Sequence, residues 1–189
     1  MKKAIIIFAL LFGSINLIGQ EHLLFKGIPI EGSMNEFCQK LKAKGFISIG
    51  SENNLAIFKG DFTGRNATIG VSATDDGKTV YGIDVTFKAS QEWSVLVDIY
   101  GYYKDLYTRK YGKPNASKEL NPAYSKSNSS LMLQLYQGTV EWHSIWKAQG
   151  GYIELSIEKI YDCSEGVVVI RYRDSQNVEA KIQKDLEEI

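Results

Sequence analysis

Two histidines, His22 and His143, are the whole supply of imidazole in this 189-residue chain. His143 lies in the run TVEWHSIWK, two residues after Glu141. In an extended segment that spacing sends both side chains to the same side, where a carboxylate can orient an imidazole for general-base work. A hydrolase using Glu141 and His143 is therefore one reading; a solvated strand face with an ion pair is the other. No nucleophile can be assigned to the pair. Cys38 would need to reach His143 as a thiolate, yet it sits beside Phe37 in an apolar helical pattern. Asp75-Asp76-Gly77 lacks the spaced oxygens of a calcium loop and reads as a turn. Glycine-rich phosphate loops, paired metal cysteines and serine elbows are missing, so the sequence points to no metal and no cofactor.

The aromatic residues suggest binding instead. Trp142 and Trp146 are four apart in one extended segment and share a face, with Tyr136 and Tyr152 on the expected neighbouring strands. On a solvated face these four would make a flat platform for a sugar ring or a protein partner. On a helix-covered face they would be core.

Such residues need positioning elements. Residues 1–19 read as a secretory signal peptide: Lys2 and Lys3, an apolar run, then Gly19 before Gln20. The run is broken by Gly13, Ser14 and Asn16, short of the ~20 residues a membrane span needs. Export would place the protein outside the cytoplasm, secreted or periplasmic. There a disulfide between Cys38 and Cys163 becomes available, closing a loop of roughly 125 residues worth about 4–5 kcal/mol in the chain-entropy model; two separate thiols are the alternative. Without Lys2 and Lys3 the balance is 20 basic to 22 acidic residues, which offers no basic excess to a nucleic acid or an anionic membrane.

From residue 20 onward the chain suits one α+β domain. A lead-in at 23–30 carries Pro29, which suits an edge. The spacing of Ser33 and Glu36 marks a capping box for a helix over 33–44, with Met34, Phe37, Cys38 and Leu41 inward and Gly45 closing it. Strands are expected at 55–59, 67–73 and 80–88, where alternation implies one buried and one solvated face. A helix over 90–114 carries Trp93, Leu96, Tyr100, Tyr103 and Tyr107 on one side, with Ser90 as its cap and Gly112 as its stop. Polar residues 115–130 read as a surface loop. Strands follow at 131–137, 139–147, 152–160 and 167–173, and a C-terminal helix at 175–189 carries Val178, Ile182, Leu186 and Ile189.

The expected architecture is an antiparallel sheet of about seven to eight strands, with two main helices on one face and a C-terminal helix. Two helix-plus-meander halves, 20–89 and 90–175, are discernible. The stretch GIPIEGSMNEFCQKLKAKGF followed by strands resembles uncharacterised secreted α+β proteins of gut-type Gram-negative bacteria. The repeated helix-then-meander order is similar to the tandem units of β-lactamase inhibitory proteins and to small periplasmic domains of outer-membrane assembly lipoproteins, although no lipidated cysteine stands near residue 19. The resemblance implies binding to another macromolecule in the envelope or outside the cell, and it transfers no individual residue. A non-catalytic binding module for protein or glycan is thus the leading reading. The hydrolase and a structural envelope component are its alternatives.

Overall fold

The computed structural model describes residues 21–120, 127–160 and 165–189. The expected signal peptide, Pro122 and Cys163 lie outside these residues. The fold is α+β. A small hairpin of β1 (Leu24–Phe25) and β2 (Ile28–Pro29) precedes helix α1 (Met34–Ala43). Strands β3 (Ile47–Glu52), β4 (Leu55–Phe62), β5 (Arg65–Ala73) and β6 (Val80–Thr86) follow, then α2 (Trp93–Tyr111). The second half holds β7 (Ala116–Leu120), α3 (Asn128–Gln137), β8 (Glu141–Ala148), β9 (Gly151–Lys159), β10 (Gly166–Asp174) and α4 (Ser175–Leu186).

Strands β3 to β10 form one eight-stranded antiparallel sheet in the order β3-β4-β5-β6-β10-β9-β8-β7. Each half starts with a helix and its strands run from an edge to the centre, with α3 interposed between β7 and β8 in the second half. The halves join where Ile170 pairs with Val85 and Tyr172 with Ile83.

Register shows how the two faces divide. Ser117, Ser144, Leu155, Ile170, Val85, Ile69 and Phe58 stand in one row across seven strands. Ser144, Leu155, Ile170, Val85 and Ile69 are fully buried there. Helix α2 lies on this side: its Tyr100 hydroxyl meets Ser144 Oγ at 2.7 Å, and the Tyr107 and Tyr172 hydroxyls bond each other. Helix α1 contributes Phe37 and Leu41 to the same core and packs on β5. Helix α3 adds Leu131 and Leu135. The expected single-sided coverage by α1 and α2 is what the chain builds.

Both main helices follow from local chemistry. Ser33 Oγ accepts from the Glu36 amide while Glu36 Oε2 accepts from the Ser33 amide at 3.0 Å, a complete capping box. In α2 all five expected inward residues are buried. Its tyrosines suit the position because each has an apolar body for the core and a hydroxyl that finds a partner.

Several expectations need correction. The lead-in at 23–30 is a two-residue hairpin around Lys26-Gly27, both at positive φ. Strand β3 was not foreseen: its six residues are all exposed and carry no buried alternation to read. Ser90 does not cap α2; its Oγ accepts from the Glu92 amide at 3.0 Å, and Glu92 precedes the helix without a side-chain cap. The stretch 115–130 contains β7, paired to β8. The strand expected at 131–137 is helical. Ser127 caps α3 by accepting from the Ser130 amide, left-handed Gly138 ends it, and the buried pair Leu131 and Leu135 is an i,i+4 pair while Leu133 is exposed. Leucine at every second position satisfied strand spacing and helical spacing together, and the caps decide between them.

Candidate functional site

The four aromatic residues singled out above do not form one surface. Trp146 is fully buried beneath α2, its ring 5.4 Å from that of Tyr107 and its Nε1 donating to the Gly112 carbonyl at 3.1 Å. Trp142 shares that face and packs edge-on against Trp93 at 5.3 Å. Both indoles therefore work as core. Tyr136 lies on α3, exposed, with the Lys159 ammonium 5.6 Å from its ring centre. Tyr152 is half-buried on β9, opposite Arg173 and Lys147 on the other face of the sheet.

Glu141 and His143 do share a face, as their spacing required. Glu141 is taken by Lys118 across the β7–β8 pair, and that hydrogen bond holds its carboxyl below the usual range. Among the described residues no hydrogen bond joins Glu141 to His143, or either to a serine or cysteine. Cys38 is half-buried, and burial pushes its thiol pKa up against the weaker pull of Lys42. A thiol kept protonated is a poor nucleophile. Its pairing with Cys163 lies outside the described residues.

The reverse of the sheet presents two long rows. The first runs Ala116, Ile145, Glu154, Arg171, Asp84, Gly70, Ile57 and Gly50; the second runs Lys118, His143, Ser156, Val169, Thr86, Thr68, Lys59 and Ile47. The β8–β10 end is charged and internally paired. Arg171 bonds Glu158 through both nitrogens, one at 2.7 Å, and Arg173 Nη1 meets Asp84 at 2.6 Å. Burial raises the Glu158 pKa, but the bonds from Arg171 and Ser156 outweigh it, so the carboxyl stays below its ordinary value. Such a ladder stiffens the face more than it attracts, because its charges are already matched.

No family model, curated protein or solved structure matches the chain. The reading of the site therefore rests on its own geometry, and the β3 end of the sheet is where that geometry is least satisfied. Ile47 is 69% exposed, Ile49 51% and Leu55 40%, with Ile57 half-buried beside them. Strand β3 is an edge, and its outer backbone groups have no strand partner among the described residues. Edges are ordinarily guarded by lysine, proline or a covering element. This one has neither residue within Ile47–Glu52, and its only irregularity is a register shift between Ser48 and Gly50. Sequence reasoning missed it because the alternation Ile47-Ser48-Ile49-Gly50 is short and half of it is serine and glycine, which read as a turn. The missed cue was chemical: ISIGS is β-prone, uncharged and free of proline.

Proposed function

We propose that the protein is a non-catalytic binding module, secreted or periplasmic, that docks a protein partner along β3 and the adjoining apolar end of the reverse face. The observation that supports it is the β3 edge, without a strand partner among the described residues, with Ile47 and Ile49 exposed. A partner strand added there would gain a ladder of main-chain hydrogen bonds and take its side-chain preference from the Ile47, Leu55 and Ile57 surface. A protein partner suits this end better than a glycan, since exposed aliphatic groups, not exposed indoles, are what it offers. Removal of residues 1–19 on export is part of the same reading, and an intact mass of the exported protein starting at Gln20 is the outcome expected.

Capture from envelope extracts tests the docking surface. Wild-type bait should retain a partner that an I47K/I49K bait loses, and the recovered complex should show slowed amide exchange in β3. A partner held equally by both baits, or β3 amides exchanging as fast as in the free protein, ends this reading.

A further inference from the structure

On the helix side of the sheet, between the tip of the β1–β2 hairpin and the last turns of α2, lies a half-open cleft of about 390 Å³. That is the size of a small-molecule site. Phe62, Tyr103, Tyr107, Tyr111 and Tyr172 line it. Tyr111 stacks on Tyr107 with 6.0 Å between ring centres, and Phe62 meets Tyr103 at 5.8 Å. Most of the polar tips are consumed by the protein. Tyr103 donates to the Phe62 carbonyl at 2.9 Å, and the Tyr107 and Tyr172 hydroxyls pair with each other. What remains for a ligand is mainly ring carbon.

Among the described residues, the charged ones lining the cleft are Lys26 and Lys110, and no carboxylate lines it. Among the described residues neither ammonium has an ion-pair partner. Each instead lies near an aromatic ring, Lys26 5.8 Å from the centre of Phe62 and Lys110 4.9 Å from that of Tyr111. The backbone that places this wall is strained. Lys26 and Thr63 have φ of 52° and 54°, each at a two-residue hairpin tip followed by a left-handed glycine. A β-branched residue in that region is an outlier, and such outliers cluster at ligand sites. Here the conformation lets Thr63 Oγ1 bond the Tyr103 hydroxyl at 2.8 Å.

We propose that this cleft binds a small amphiphile with one acidic head group, its apolar body against the aromatic wall and its carboxylate at Lys26 and Lys110. Unpaired cations at the mouth of an otherwise apolar cavity select for that charge and against neutral or cationic analogues. The site is separate from the β3 edge and does not depend on docking there.

Calorimetric titration of the full chain with decanoate tests it, with decanol and decyltrimethylammonium as comparators. The expected result is one saturable site for decanoate, at least tenfold weaker for both comparators. K26E/K110E should weaken decanoate at least tenfold, and L106W, which fills the cleft, should abolish binding. Should L106W fail to fold, the lysine pair at the rim decides. No saturable decanoate binding at millimolar concentration, equal affinity for decanol, or unchanged affinity in K26E/K110E would overturn the proposal.

Discussion

Asp174 is fully buried and joins two segments far apart in the chain. Its carboxylate accepts from the Leu23 amide at 2.8 Å and the Asn177 amide at 3.0 Å, and it meets His22 Nδ1 at 3.1 Å. It therefore caps α4 and ties down the start of the described chain in one step. Three residues on, Asn177 Nδ2 donates to the carbonyls of Ile30 and Val80, which stitches α4 to both the first hairpin and β6. Asp174→Ala leaves two amides without an acceptor, and each such buried orphan costs about 1–3 kcal/mol. Urea unfolding of the variant should show a loss of about 2–6 kcal/mol on that basis; a loss under 1 kcal/mol would mean the amides find other acceptors. His22, unremarkable in sequence, owes its place to this cluster.

Among the elements, the C-terminal helix departs most from its pattern. Val178, Ile182, Leu186 and Ile189 recur at helical steps, yet Ile182, Leu186 and Ile189 are exposed. Helix α4 is held by Asp174, Asn177 and an ion pair from Lys184 to Asp76, and Asn177 is the one residue of the helix that is buried. I182S/L186S should change the free energy of unfolding by less than about 0.5 kcal/mol, as for ordinary surface positions. A larger loss in denaturant titration would show that the stripe is packed in solution. The β8–β9 turn behaves oppositely. Gly150 has φ of 81°, and a Cβ there would stand 2.4 Å from the backbone at Glu21, His22 and Leu23. Gly150→Ala should destabilise the protein by more than 1 kcal/mol, the usual glycine penalty, because backbone atoms cannot step aside as side chains do. A melting temperature equal to wild type would refute that close approach.

Across the molecule, buried tyrosines set the alkaline limit of stability. Burial above all pushes the Tyr100, Tyr107 and Tyr172 hydroxyls well above the ordinary tyrosine value of about 10, and the Tyr107–Tyr172 pairing raises Tyr107 further. The unfolded chain releases these protons near pH 10 while the folded protein keeps them. Their contribution is therefore complete below about pH 10 and falls as pH climbs toward the folded-state values. Burial raises the Tyr103 hydroxyl as well, and phenolate absorbance should show these four tyrosines ionising only with unfolding. Free titration of all tyrosines near pH 10, with the protein still folded, would contradict the burial seen here.

Short-range and periodic facts were legible from residue order alone: the Ser33–Glu36 capping box, the inward face of α2, the alternation of β5, β6, β9 and β10, and hence a sheet covered by helices on one side. Those depend on neighbours within a few positions, where spacing and chemistry coincide. Three matters were settled only by packing. Side-chain spacing placed Trp142 and Trp146 together but could not say which face α2 would cover, since that depends on contacts between residues some forty positions apart. The exposed β3 edge and the lysine-rimmed cleft arise where segments distant in the chain meet or fail to meet, and no local pattern encodes a missing neighbour.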